Sequence, residues 1–99
     1  MEFEWDDVKR RSNLMKHGLD LLRASELFEG LVVTFEDTRR PYGEPRMLAV
    51  GISRGRVLTC VYTDRIADDG RVRRRIISLR PASRKERRDY GDRASPPAR

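Results

Sequence analysis

One cysteine and one histidine are all that the 99 residues offer to thiol or imidazole chemistry. Cys60 has no second cysteine to pair with, which excludes a disulfide within the chain, and its apolar surroundings suit a small buried thiol. His17 and Cys60 are too few for a zinc site, and Asp64, Asp68 and Asp69 lack the alternating spacing of a calcium loop. The expectation is a protein with no metal and no cofactor. No run approaches about 18 consecutive apolar residues, so no membrane span is expected. The opening Met1-Glu2-Phe3-Glu4-Trp5-Asp6 is acidic, unlike a secretory leader. Together these absences point to the cytoplasm.

What is abundant is charge, at 38% of residues against 37% hydrophobic, so the chain can build one thin core and must cover it with ions. The net charge of +6 is unevenly spread along the sequence. Residues 71–99 hold eleven Lys and Arg against three acids, whereas residues 1–70 hold eleven against thirteen. A basic last third suggests a polyanionic partner such as nucleic acid, although a solvated basic face has the same composition.

Alternating apolar and acidic residues make Met1 to Trp5 a short strand with Phe3 and Trp5 facing a core. Asp6 is placed to cap a helix running to His17 before Gly18, with Val8, Ser12, Leu14 and Met15 as its core stripe and Lys9, Arg10, Asn13, Lys16 and His17 as a basic outer face. Asp20 caps a second helix to about Phe28, and Leu31 to Phe35 is a strand. Residues 37–45 are an exposed loop. Two apolar runs separated by Arg54-Gly55 form a tight hairpin, and Val72 to Leu79 is a last strand that Pro81 should end. Ser83-Arg84-Lys85-Glu86 is a capping box for a short helix to about Tyr90. The resulting fold class is α+β: a short N-terminal strand, two helices, an antiparallel β-meander and a short C-terminal helix in two layers. Residues 1–90 make a single domain, and 91–99 a disordered tail.

Several stretches together resemble the BrnT toxins, which pair with BrnA antitoxins in bacterial type II toxin–antitoxin systems. They are Phe3-x-Trp5-Asp6-x-x-Lys9, Asn13-x-x-Lys16-His17-Gly18, Tyr42-Gly43-Glu44-x-Arg46, Val61-Tyr62-Thr63, Arg75-Ile76-Ile77-Ser78-x-Arg80-x-Ala82 and Glu86-Arg87, in the family's order. The resemblance spans roughly Phe3 to Tyr90. It implies a RelE-like fold and a ribonuclease that stops translation by cutting RNA, whether free or ribosome-associated. It also implies neutralisation by a ribbon-helix-helix antitoxin, through which alone the complex reaches operator DNA. The run Arg73-Arg74-Arg75 is more basic, and Leu79 larger, than the family's habit.

RNA can be cut without a metal by its own 2′-hydroxyl attacking the adjacent phosphorus, which requires a base, an acid for the leaving 5′-oxygen and cations around the phosphorane. Arg46, Arg75 and Arg80 occupy family-matching positions near strand ends, and a guanidinium fork suits phosphate; each could equally be a strand-end arginine in a surface ion pair. His17 has the side chain whose ordinary pKa suits proton transfer near neutrality, and its place at a helix C-terminus also explains it through the helix dipole. Glu86 is a candidate base with a competing role in the capping box. Lys16, Arg73, Arg74 and Arg87 are candidate RNA contacts. Tyr42 and Tyr90 could stack on bases or pack on the sheet. The competing function is a non-catalytic nucleic-acid-binding or antitoxin-docking module that keeps the fold without the chemistry.

Overall fold

The computed structural model describes residues 1–94. The expected short strand is β1 (Glu2–Trp5), and α1 (Asp7–His17) follows directly. Asp6 caps α1, its carboxylate accepting from the Val8 and Lys9 N–H groups at 2.8 and 3.2 Å. Gly18 closes the helix in the left-handed region at φ 68°. Asp20 caps a single 3-10 turn, Leu21–Arg23, and α2 (Ala24–Glu29) continues from it. A sheet of β2 (Val33–Glu36), β3 (Met47–Ser53), β4 (Arg56–Ile66) and β5 (Val72–Pro81) then leads to α3 (Arg84–Ala94).

The strand order is β1-β5-β4-β3-β2. β2 to β5 form the expected antiparallel meander, and β1 adds to it in parallel, pairing Glu2–Trp5 with Arg73–Ile76. The sheet is therefore mixed. Arg54 and Gly55, at φ 51° and 76°, make the two-residue β3–β4 turn, the left-handed pair that a tight hairpin needs.

Met47, Ala49 and Gly51 of β3 and Leu58, Cys60 and Tyr62 of β4 share one sheet face, under the 3-10 turn and α2. At Gly51 the approach is so close that a Cβ would meet Val32 and Leu27 side chains at 3.0 and 3.1 Å. Leu19, Leu21, Ala24 and Leu27 complete this core, with Phe3, Trp5 and Phe28 packed at its border. β5 joins it through a bulge. Val61 faces Ser78 and Tyr62 faces Ile76, so Ile77 is the extra residue. That one-residue slip lets both Ile76 and Leu79 reach the core while Ser78 and Arg80 face the other way.

Four readings change. Pro81 is the last residue of β5, opposite Leu58 where the ladder ends. α3 runs to Ala94, past Gly91, and residues 95–99 of the expected tail lie outside the described residues. α3 also covers the second sheet face, with Arg93 over Phe35, Glu86 bonded to Thr59 and Tyr90 bonded to the Leu31 carbonyl. The sheet thus has helices on both faces, three layers where two were expected.

The fourth change is the orientation of α1. Val8 and Met15, read as its core stripe, are 65% and 90% exposed, while Asn13, read as outer face, is 6% exposed. The reason lies in β5. β1 covers the outer edge of β5 only as far as Ile76, which leaves the backbone of Leu79 without a neighbouring strand. Asn13 supplies one: its Nδ2 donates to the Leu79 and Leu19 carbonyls, both at 2.8 Å, and its Oδ1 accepts from the Leu79 N–H at 3.1 Å. Arg10, on the same side of the helix, grips Asp20 through Nε and Nη2 at 2.9 and 3.0 Å. Burying two methyl-rich side chains would not compensate for backbone groups left dry, so polar pairing decides which way the helix turns.

Asn13→Ala should therefore cost about 2–4 kcal/mol, since three buried backbone groups lose their partner at once. Urea titration should show a lower midpoint with an unchanged slope. A loss below about 1 kcal/mol would refute this account of the inverted helix.

Candidate functional site

Turning α1 inward on Asn13 places its next face along an open cleft of about 420 Å³ on the second face of the sheet. Lys9, Ser12, Asn13, Lys16 and His17 form the α1 wall. Val61, Ile77, Ser78 and Arg80 make the floor, so the bulge in β5 helps to shape it. Arg39, Arg40, Tyr42 and Arg46 close the far side from the 37–46 loop. Among the described residues no carboxylate lines this cleft.

The loop is held by one buried acid. The side chain of Asp37 is 1% exposed and takes both prongs of Arg39 at 2.8 Å, and it accepts from the Tyr42 hydroxyl at 3.1 Å. Arg39 outweighs the opposing effect of burial and holds the Asp37 carboxyl at about pKa 2. With its hydroxyl fixed, Tyr42 presents a ring on which the Arg46 guanidinium lies, 4.1 Å from the centroid; Arg40 lies 5.3 Å from the same centroid. Among the described residues Arg46 has no carboxylate partner, and its Nε is buried without a hydrogen bond. It is a cation supported by an aromatic face and left free for an anion.

Arg80 is arranged differently. Its two Nη atoms donate to the two oxygens of Glu86 at 2.7 and 2.9 Å. Glu86 also accepts from the Ser83 N–H at 2.8 Å, as the capping box predicts, and from the Thr59 hydroxyl at 3.0 Å. Burial opposes the charge of Glu86, but Arg80, Ser83 and Thr59 together bring it to about pKa 2. Both oxygens are engaged, and a carboxylate of such low pKa is a weak base. His17 is shifted the opposite way from a group poised to hold a proton: burial first, then Lys16 and Arg80, lower its pKa below the ordinary 6.5. That shift favours the neutral imidazole.

The cleft therefore gathers His17, Arg46, Arg80, Lys16 and Tyr42 from the candidates read in the sequence. Arg75 is elsewhere, bonded to Glu4 at 3.1 Å. Arg73 bridges Glu2 and Asp69, at 3.0 and 3.3 Å. Arg74 is bidentate on Asp64 at 2.8 and 2.9 Å and stacks over Phe28 and Tyr62. Arg87 donates to the Ala82 carbonyl at 2.9 Å, and Tyr90 to the Leu31 carbonyl at 3.2 Å, both outside the cleft. Lys9, Ser12, Arg39, Arg40 and Ser78 line the cleft and were not singled out as site residues. The adjacent arginines 39 and 40 beside Tyr42 were a visible signal. The two serines carried none, because only the placement of α1 and the bulge brings their hydroxyls there.

Residues 5–86 match the family model described as "Ribonuclease toxin, BrnT, of type II toxin-antitoxin system". No curated protein matches the chain. The matched span includes every residue named above as lining the cleft and ends on Glu86.

Because Glu86 titrates near 2 when folded against an ordinary 4.5, the stability it contributes is present above pH 4.5 and is lost as pH falls toward 2. Asp37 adds a parallel loss from its ordinary 3.8. Glu86→Gln should lower stability at neutral pH by about 2–3 kcal/mol and flatten its fall with acid. Denaturant midpoints measured from pH 7 to 3 test this; a variant whose acid profile parallels that of the parent would overturn it.

Proposed function

The chain belongs to the BrnT family of ribonuclease toxins of type II toxin–antitoxin systems, and on that premise we propose that it cleaves RNA in the cleft between α1, the 37–46 loop and β5, and so arrests translation. The observation that carries the proposal is the joint presence of a neutral imidazole and a carboxylate-supported and an aromatic-supported guanidinium around one open, cation-lined groove. Such a lining suits a phosphodiester. The mixed sheet with α3 on its second face is the form in which we read the RelE-like arrangement that the family implies, over a single domain of residues 1–90.

In this reading His17 takes the proton of the 2′-hydroxyl, and the oxygen attacks the adjacent phosphorus. The bond to the 5′-oxygen breaks, and Lys16 gives that oxygen a proton, leaving a 2′,3′-cyclic phosphate and a free 5′-hydroxyl. Arg46 and Arg80 hold the phosphoryl oxygens as negative charge builds on them. Glu86 is a positioning residue for Arg80 rather than a base. Tyr42 has its ring against Arg46 and acts as the support of that cation rather than as a platform for a base. Arg73, Arg74 and Arg75, each paired with an acid, serve the fold. The reaction draws on the RNA's own nucleophile, so it proceeds without a metal or cofactor. The expected setting is the cytoplasm, with RNA, free or ribosome-associated, as the substrate and a ribbon-helix-helix antitoxin as the neutralising partner, which carries the complex to operator DNA.

Incubating the purified chain with single-stranded RNA should give 2′,3′-cyclic ends in EDTA as well as in magnesium. His17→Ala and Arg46→Ala should each lower kcat/KM by about 10²–10⁴ without loss of fold, and Tyr42→Phe should cost less than Tyr42→Leu because it keeps the ring under Arg46. The acid limb of the pH profile should fall below 6.5, because the lowered pKa of His17 keeps the base form available there. Bound but uncut RNA, in free form and on ribosomes alike, would favour a non-catalytic binding module. Cleavage that needs magnesium would overturn the mechanism.

A further inference from the structure

The arginines of the last third divide into two groups that the sequence does not separate. Along β5 the cations are neutralised: Arg71 and Arg73 by Glu2, Arg74 by Asp64 and Arg75 by Glu4. Along α3 two of the three acids are engaged elsewhere, and the third, Asp92, is exposed one turn beyond Arg88 with no ion pair among the described residues. Glu86 points back to Arg80 and Thr59, and Asp89 is taken by Lys85 at 2.8 Å. Arg84, Arg87 and Arg88 are exposed and have no carboxylate partner among the described residues, and residues 95–99 contain neither Asp nor Glu. Positions 84, 87 and 88 are spaced i, i+3 and i+4, so the three guanidinium groups share one helix face and repel one another.

We propose that this outer face of α3 is a second RNA-backbone site, which takes the strand where it leaves the cleft. The inference rests on the ribonuclease reading of the cleft and extends it to the length of RNA held. The two regions are joined by the ion pair of Arg80, which lines the cleft, with Glu86, which stands in the first turn of α3 on its sheet-facing side, across the helix from Arg84, Arg87 and Arg88. A strand passing Arg80 reaches that face by crossing the first turn of α3. Repulsion among the three cations is relieved when phosphates lie between them, and a guanidinium fork can take two oxygens of one phosphate. Contacts of this kind hold the backbone and are indifferent to sequence.

The test is fluorescence anisotropy with 2′-O-methyl RNAs, which cannot be cut by 2′-hydroxyl attack, in lengths of about 4 and about 16 nucleotides across a range of salt. The parent should bind the long RNA more tightly and with a steeper dependence of log K on log salt. In Arg84→Gln/Arg88→Gln, with helix content checked by circular dichroism, that slope should fall by about 1.4, or about 0.7 for each lost phosphate contact, while affinity for the short RNA is unchanged. Arg65→Gln/Arg71→Gln removes the same charge from arginines already paired with Glu44 and Glu2 and should leave the slope as in the parent. An unaltered slope in the α3 variant, or an equal fall in both double variants, would remove the site. If Arg46→Ala still weakens the short RNA in that case, the ribonuclease reading stands alone. If the parent binds neither RNA, both readings fall.

Discussion

A single asparagine completing the edge of a strand is the constraint on which the cleft depends. β1 is only four residues long, and where it leaves β5 the backbone of Leu79 must find hydrogen bonds or water. Asn13 meets both of its groups and the Leu19 carbonyl as well. That contact fixes the rotation of α1 about its own axis. Once Asn13 points inward, His17 shares the groove with Arg80, and Lys9, Ser12 and Lys16 line it too. The apolar residues on the opposite side of the helix are left in water as the geometric remainder.

The second organising influence is the partition of charge between structural and free roles. Asp37 and Glu86 are each kept ionised by an arginine, and each orders a neighbouring cation of the cleft. Asp37 does so through Tyr42 to Arg46, and Glu86 acts directly on Arg80. The acids are thus set behind the cations and leave the groove lining positive. Toward the other end of β5, Glu2 and Glu4 of β1 neutralise arginines that looked in the sequence like the strongest basic run in the chain.

This explains what the sequence could reveal. Asp6, Gly18, Arg54-Gly55 and Ser83-x-x-Glu86 act within a few residues, so caps, hairpin and capping box were legible, and the α+β class followed from them. The rotation of α1 was not legible, because hydrophobic periodicity assigned its inner face to Val8 and Met15, while the deciding contact reaches 66 residues along the chain. The same limit applied to the site. The stretches resembling BrnT supplied His17, Lys16, Tyr42, Arg46 and Arg80 together, yet nothing local distinguished Arg80, which faces the cleft, from Arg75, which faces Glu4. A helix on the second face was equally hidden, since α3 has few apolar residues and attaches through Glu86, Tyr90 and Arg93.

The parallel pairing of β1 with β5 has a consequence for the order in which the protein is made. β1 (Glu2–Trp5) is made well before its sheet partner Arg73–Ile76, and the Asn13 contact that docks α1 cannot form until Leu79 has been synthesised. Arg80 and its clamp Glu86 come later still. A chain stopped anywhere before this point has most of its cleft residues but nothing that holds them in register. The groove therefore comes into being only once β5 and the first turn of α3 have been made, and a chain stopped short of that point cannot present it.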